Sequence, residues 1–250
     1  MTLASASAPR ASDDIPHRLP VILDTDIGDD IDDTWALAML LRCPQLDLRL
    51  VTTTHGKAEY RARLASRLLS TAGRSEVPVG LGAGGLDGSG KQAAWVESYD
   101  LARHGGPVHS DGVQALIDAI MASPEPVTLI AIGPSETIAA ALVREPAITG
   151  RARFVGMQGA VYRGYHGGPV CPEWNVKADV AAARGALLAP WREAVITPLD
   201  TCGLVRLRGA RLERLKRAGD ALVQAVLENW RLWSGQAALA ELSETRVLFD

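Results

Sequence analysis

The sequence has few cysteines, no long apolar run and no excess of positive charge. Its three cysteines, Cys43, Cys171 and Cys202, are an odd number without CxxC spacing, so neither a disulfide framework nor a zinc site is predicted. No apolar stretch approaches the roughly 18 residues that a membrane-spanning helix needs. A net charge of -3 gives no electrostatic reason to expect nucleic acid or a membrane as a partner. These absences favour a reduced, cytoplasmic setting.

The chain of 250 residues is long enough to bury a substantial core. Its first residues, MTLASASAPRASDD, lack the apolar centre of a secretory signal. We interpret residues 1–17 as a disordered leader and residues 18–250 as a single domain, because no internal repeat or low-complexity linker interrupts them.

Strand-like and helix-like segments alternate along the chain. Short apolar runs typical of buried strands cover Val21–Asp24, Leu46–Thr53, Val77–Leu81, Val127–Ile132, Phe154–Met157 and Ala194–Leu199. Helices are predicted over Trp35–Leu41, Ala58–Ala72, Gly112–Ala122, Ala178–Leu188 and, as one long helix, Ala210–Trp233. This alternation predicts an α/β fold with a mostly parallel central sheet and helices on both faces. Ligands of such sheets bind beyond the carboxyl ends of the strands, where Asp24, Gly133 and Gly156–Gly159 fall.

Six aspartates lie within ten residues, in the segment DTDIGDDIDD at residues 24–33, directly after the first predicted strand. Asp32 and Asp33 could cap the next helix and stabilise its dipole, which accounts for one or two of the six. Two carboxylates about 5 Å apart repel by roughly 3 kcal/mol at an effective dielectric constant near 20. The cluster therefore requires a bound cation or raised pKa values. Oxygen donors without a nearby Cys or His favour calcium or magnesium.

The stretch LDTDIGDDIDDTWAL resembles the signature DTDxGxDDAxAL of the (inosine-uridine preferring) nucleoside hydrolase family, with two extra residues before the paired aspartates. The resemblance implies hydrolysis of the N-glycosidic bond of ribonucleosides, Ca²⁺ as cofactor, and a homodimer or homotetramer. It implies that Asp26 is both a calcium ligand and the base for the attacking water. Asp33 would be a second ligand, and Asp32 would hold a ribose hydroxyl. Because the insertion leaves the register open, Asp30 could replace one of these ligands, whereas Asp29 is expected in solvent.

Weaker matches extend along the chain. The segment TTTHGK at residues 52–57 is similar to TTVxGN, with Lys57 where an asparagine contacts ribose; Lys57 could equally pair with the aspartates or lie at the surface. His109, in HSDG, resembles a position in VHGxDG near the base pocket, or is a structural or helix-capping residue. Ile132, before Gly-Pro, matches a strand end that supplies a backbone carbonyl to calcium.

Two matches lie nearer the end of the chain. PEWN at residues 172–175 is similar to AEFN, and Glu173 and Asn175, two residues apart, would bind ribose hydroxyls. Asp250, in VLFD, would be the last calcium ligand, although Phe249 stands where the family often has a histidine. Family chains continue for some tens of residues past this aspartate, which predicts a truncated or unusually short member.

Several alternatives stay open. The departures at Lys57, Glu136-Thr137, Tyr165 and Phe249 favour a second hypothesis, a member that binds a ribosyl ligand or a partner protein without turnover. A phosphotransferase of the haloacid dehalogenase type also begins with a strand ending in DxD, but Ile27-Gly28 follows where that family has Thr or Val. No motif assigns the group that assists departure of the base; the candidates are His109, His166, Tyr162, Tyr165 and Trp95.

Overall fold

The computed structural model describes residues 18–235 and 242–250, so the leader predicted for residues 1–17 lies outside the described part. One sheet runs through it, with every strand pair parallel. Its strands are β1 (Leu19–Thr25), β2 (Leu46–Thr53), β3 (Val79–Gly80), β4 (Val108–His109), β5 (Val127–Ala131), β6 (Ala152–Gly156) and β7 (Ala194–Ile196). Their spatial order is β4-β3-β2-β1-β5-β6-β7.

Helices connect successive strands, and in the described part of the chain three further helices follow the last strand. They are α1 (Asp32–Leu41), α2 (Ala58–Thr71), α3 (Ala93–Val96), α4 (Gly112–Ala122), α5 (Glu136–Arg144), α6 (Trp174–Ala178), α7 (Val180–Leu188), α8 (Leu199–Cys202), α9 (Gly209–Lys216) and α10 (Ala221–Ser234). Short 3₁₀ turns cover Leu101–Arg103, Pro146–Arg151 and Tyr165–Gly167. Within residues 18–235 and 242–250, no helix has the length and apolarity needed to cross a membrane.

The central strands of the sheet are buried on both faces, whereas the edge strands β4 and β7 are exposed. Because side chains alternate along a strand, successive residues enter the cores on opposite faces. In β1, Val21 and Leu23 join one apolar cluster with residues of α1, α2 and α10. Ile22, between them, joins a second cluster with residues of α4 and α5. The predicted α/β fold, with a parallel sheet covered by helices on both faces, is confirmed.

The strand order reverses next to β1. From β1 the chain proceeds outward through β2, β3 and β4, and then returns to place β5 on the opposite side of β1. The connections that leave β1 and β5 therefore diverge and open a crevice at the carboxyl edge of the sheet. Asp24, at the end of β1, pairs in register with Ala131, the last residue of β5, so the acid-rich segment begins at this crevice.

The prediction of a single long helix over Ala210–Trp233 is wrong. The structure has two helices, α9 and α10, because Asp220 adopts an extended conformation and its carboxylate accepts a hydrogen bond from Val223 N at 3.1 Å as an N-cap. Gly219, just before it, also disfavours a continuous helix. The strand predicted to run to Leu199 stops earlier, at Ile196, and α8 begins after Pro198.

Candidate active site

The acid-rich segment forms a turn between β1 and α1. Asp24 is fully buried, and its Oδ1 accepts a hydrogen bond from the hydroxyl of Thr52 at 2.6 Å. Gly28 turns the chain with φ of 115°, and a Cβ there would lie 2.6 Å from the ring of Tyr60. The Tyr60 hydroxyl donates to the Gly28 carbonyl at 3.0 Å. This position therefore requires glycine both for its backbone angle and for space.

Three carboxylates from the two ends of the described chain meet in this crevice. Asp32, Asp33 and Asp250 each place an oxygen within 4.8 Å of the others. Asp33 also accepts a hydrogen bond from the Thr25 hydroxyl, and Phe249 N donates to Asp32 Oδ2 at 3.3 Å. Asp32 and Asp33 lie in the first turn of α1, but neither caps it with a side-chain hydrogen bond.

Two other aspartates predicted as calcium ligands stand outside this trio. Asp26 is buried at the end of β1, lines the same cleft, and raises the pKa values of Asp32, Asp33 and Asp250 by its charge. Asp30 is exposed at the rim, where its Oδ1 accepts a hydrogen bond from Ile31 N at 2.8 Å. The structure thus brings Asp32, predicted to hold ribose, into the trio and leaves Asp30 aside.

Burial and mutual repulsion keep these acids from ionising easily. Burial is the largest cause of the raised pKa values of Asp26, Asp32, Asp33 and Asp250. The pKa of Asp26 is raised to about 6 and that of Asp32 to about 8, and those of Asp33 and Asp250 are raised well above their usual range. Neighbouring carboxylates add to each increase, whereas Arg61 opposes it at Asp26. In the described residues no Lys or Arg forms an ion pair with the trio. An oxygen-only donor set with this unrelieved charge fits a hard divalent cation.

Asp29, predicted to lie in solvent, is only partly exposed and is paired with two cations. Its side chain is 37 % exposed, and its two oxygens pair with Lys57 Nζ at 2.6 Å and Arg61 Nη2 at 2.8 Å. The reason is that the turn at Gly28 directs the inserted residues towards the start of α2. Of the three roles considered for Lys57, the structure shows the pairing with an aspartate, and Lys57 does not line the cleft.

Glu173 and Asn175 also line the cleft and are held by backbone groups. Glu173 caps α6: its Oε1 accepts from Asn175 N at 2.7 Å, and its Oε2 accepts from Gly159 N at 2.9 Å and Val176 N at 3.2 Å. Asn175 Nδ2 donates to the carbonyls of Ile132 at 3.2 Å and Met157 at 3.0 Å. Asn175 therefore ties α6 to the carbonyl that was predicted to face calcium.

Replacing Glu173 with glutamine is expected to destabilise the fold. The amide nitrogen of glutamine cannot accept a hydrogen bond, so buried backbone N–H groups lose their partner, at a cost of about 1–3 kcal/mol. For a chain of this size that corresponds to a fall in Tm of about 5 °C. Scanning calorimetry without calcium measures it, with the exposed Glu97→Gln as control. Equal Tm values for the two variants would contradict the capping role.

The cleft lined by these residues has a volume of about 340 Å³, within the range of small-molecule sites. Its lining also includes aromatic rings and one lysine, Lys91. Lys91 Nζ lies 5.2 Å from the ring centroid of Trp233, and Tyr165 meets Phe249 edge-on with the ring centroids 5.6 Å apart. The lining residues are Asp26, Asp29, Asp30, Asp32, Asp33, Lys91, Ile132, Met157, Tyr165, Glu173, Trp174, Asn175, Trp233, Phe249 and Asp250.

Most of the residues that the sequence suggested for assisting departure of the base lie outside the cleft. His109 is exposed in β4, at the edge of the sheet, and does not line the cleft, which argues against its predicted contact with substrate. Tyr162 is 84 % exposed, and Trp95 packs under Arg67. Of the five candidates named from the sequence, only Tyr165 lines the cleft; its hydroxyl accepts a hydrogen bond from Trp174 N at 2.9 Å, and burial raises its pKa.

The sequence-based prediction missed two buried residues that hold the acid-rich turn. Gln92 accepts a hydrogen bond from the Thr34 hydroxyl at 2.8 Å and donates to the Asp30 carbonyl at 3.1 Å. Arg61 contacts the same turn from α2. A signal for Arg61 was present, since it lies three and seven residues before Leu64 and Leu68, on the apolar face of the helix.

Comparison with known proteins agrees with the geometry of the site. The profile of the family described as "Inosine-uridine preferring nucleoside hydrolase" matches residues 21–245. The non-specific ribonucleoside hydrolase RihC of Escherichia coli (strain SMS-3-5 / SECEC) is 36 % identical over 239 residues, which cover 89 % of this chain and 75 % of RihC.

Solved structures share the fold at low sequence identity. A plant nucleoside hydrolase, PpNRh1, superimposes with a TM-score of 0.75 at 21 % identity, covering 92 % of this chain and 76 % of the plant enzyme. The inosine-uridine preferring nucleoside hydrolase from Bacillus anthracis gives 0.67 at 20 % identity, covering 84 % of this chain and 76 % of that enzyme.

Proposed function

Since the chain belongs to the inosine-uridine preferring nucleoside hydrolase family, we propose that it hydrolyses the N-glycosidic bond of ribonucleosides, giving ribose and a free base. The observation that carries the proposal is the group of buried and half-buried aspartates in a cleft of ligand size at the strand-order reversal. The predicted cytoplasmic location and homodimeric or homotetrameric assembly stay predictions.

Calcium is the proposed cofactor. Asp32, Asp33 and Asp250 would hold it, with Asp26 and the Ile132 carbonyl at the edge of the same space. When bound, calcium would neutralise the acids and orient the ribose hydroxyls and the attacking water. Asp30 is the less suitable ligand because its carboxylate is turned to the rim.

Asp26 is the proposed base. It is buried, lies beside Gly133, whose added Cβ would come within 2.9 Å of Asp26 Oδ1, and has a pKa raised to about 6. A carboxyl with such a pKa is ionised at neutral pH and still basic enough to take a proton from water, as general base catalysis requires. A side chain at position 133 would therefore clash with this carboxylate.

Other residues of the cleft would bind the substrate. Glu173 and Asn175 line the cleft and are fixed by backbone hydrogen bonds, so they would meet the ribose without losing side-chain freedom. The rings of Tyr165, Trp174 and Trp233 offer flat apolar surfaces to the base. In this arrangement the acids act on the sugar and the aromatic rings hold the leaving group.

A second candidate function is binding of a ribosyl ligand without turnover. It is favoured by Phe249, which has no proton to donate where relatives often have histidine, and by Lys57, which is engaged by Asp29 and so is withdrawn from ribose.

Release of ribose from a panel of purine and pyrimidine ribonucleosides tests both candidates. Purified protein with calcium is expected to release ribose, and 2′-deoxyribonucleosides, which lack one hydroxyl for the acids to bind, are expected to react far more slowly. If no nucleoside is cleaved while titration calorimetry still shows calcium and nucleoside binding, the hydrolase proposal is wrong and the binding-only candidate is supported.

A further inference from the structure

Arg61 has a fully buried side chain whose hydrogen-bonding capacity is completely used. A guanidinium group carries five N–H donors in one plane. Each finds an acceptor: Nε donates to Gly56 O at 2.9 Å, Nη1 to Asp26 O and to Ile27 O at 3.0 Å, and Nη2 to Asp29 Oδ2 at 2.8 Å and to His55 O at 3.0 Å.

These acceptors belong to two loops that the sequence keeps apart. One is the acid-rich turn at residues 26–29, and the other is the loop at residues 55–57, which precedes α2. The second loop is strained: His55, Gly56 and Lys57 all have positive φ, at 61°, 69° and 52°. Two of the three carry a side chain, and such conformations persist only when surrounding contacts enforce them. Arg61 supplies contacts to the carbonyls of His55 and Gly56.

Asp29 completes the arrangement as the counter-ion of the buried guanidinium. Its second oxygen receives Lys57 Nζ, so one carboxylate joins the two loops through two cations. Leaving a buried charge without its partner strongly destabilises the folded protein. Movement of either loop would therefore break several hydrogen bonds to Arg61 together.

Asp26 is the residue that connects Arg61 to the cleft. Its backbone carbonyl is an acceptor of Arg61, while its carboxylate lines the cleft next to the trio of acids. The guanidinium does not line the cleft and so does not meet a substrate. Besides the effect of its charge on the Asp26 carboxylate, its influence on the site is the placement of the backbone that carries the proposed base.

We propose that Arg61, with Asp29 as its counter-ion, is a positioning residue that fixes Asp26 relative to Asp32 and Asp33. The inference deepens the proposed hydrolysis and rests on it for its kinetic consequences. The inference also predicts a change in calcium affinity, which can be measured without catalysis, because the same backbone determines where the carboxylates that would bind calcium lie.

Arg61→Lys is the principal test. Lysine keeps the charge but offers three donors from one point, so it cannot serve five acceptors held in one plane. We expect kcat to fall by about 100-fold, the effect of misplacing a catalytic group by about 1 Å. Calcium affinity is expected to fall by about tenfold, as when a supporting hydrogen bond behind a metal site is lost. Asp29→Asn should also lower both kcat and the calcium affinity.

The matched control is Arg63→Lys. Arg63 lies two residues along the same helix and also donates to backbone carbonyls, of Tyr99 at 2.8 Å and Glu97 at 3.0 Å, but away from the cleft. A general weakening of α2 would lower Tm in both variants without changing the calcium affinity of folded protein. The positioning role predicts a loss of affinity in Arg61→Lys only.

Calorimetric titration with calcium and kcat with the best ribonucleoside give separate answers. A folded Arg61→Lys protein with wild-type calcium affinity and kcat would overturn the inference. If the wild-type protein releases no ribose, the proposed function fails, and the calcium titration alone decides the role of Arg61. If Arg61→Lys does not fold, Asp29→Asn decides, and unchanged affinity in that variant would overturn the inference.

Discussion

Replacing Asp26 with asparagine is expected to lower kcat for ribonucleoside hydrolysis by about 1000-fold, the usual contribution of a general base. Asparagine keeps the shape of the side chain but cannot take a proton from water. Because the interaction is needed chiefly in the transition state, kcat and kcat/KM should fall together. Ribose release at pH 7.5 under saturating calcium measures the change.

Two controls separate loss of the base from loss of the site. Asp118→Asn changes an exposed aspartate on α4 that pairs with Gln114, and should leave kcat unchanged. Calcium should still bind to Asp26→Asn, because Asp32, Asp33 and Asp250 remain. A variant that binds calcium and keeps kcat within tenfold of wild type would assign the base to another residue.

Removing calcium is expected to abolish ribose release and lower Tm, by amounts that depend on pH. A divalent cation contributes several kcal/mol to the transition state, so chelation should reduce kcat by at least about 1000-fold. At a calcium concentration 100 times Kd the ion adds about 2.7 kcal/mol of stability, which corresponds to about 5–10 °C in Tm for a chain of this size.

The sign of the pH dependence follows from the raised pKa values. Unfolded aspartates ionise near 3.8, whereas in the folded protein Asp26 ionises at about 6 and Asp32 at about 8. Between these values the folded state binds more protons than the unfolded state, so the stability of the metal-free protein falls as pH rises from about 4 to about 8. Calcium needs the ionised acids, and its effect on Tm should therefore grow from pH 5 to pH 8. A calcium-induced shift that is constant or larger at pH 5 would contradict this cluster as the binding site.

Local sequence patterns predicted the sheet and the main acids because each depends on nearby residues. The run of apolar residues in β1 and the aspartates after it occupy one strand and one turn, and their position at the sheet edge follows from parallel topology. Glu173 and Asn175 were found through the resemblance of PEWN to AEFN, a motif that also lies within a single segment. The structure places both in the cleft wall.

What the sequence did not predict depends on contacts between distant segments or on weak local preferences. The partner of Asp29 could not be identified, because two inserted residues leave the register of the turn open and Lys57 and Arg61 lie on another element. The interruption between α9 and α10 depends on one capping aspartate, a small energy against a continuous apolar pattern. Arg61 is different, because a cation on an apolar helix face is itself a local indication of a buried role.

The contact between Phe249 N and Asp32 joins residues 217 positions apart in the chain. Closing a loop of that length costs about 5 kcal/mol of chain entropy beyond a constant, and only the folding of the intervening strands can offset it. The acid-rich turn alone is thus an incomplete chelator, and a newly made chain gains its third carboxylate only after Phe249 and Asp250 have docked on α1. Calcium uptake during refolding should therefore mark the completion of tertiary structure rather than its nucleation, and half-folded molecules should leave the ion in solution.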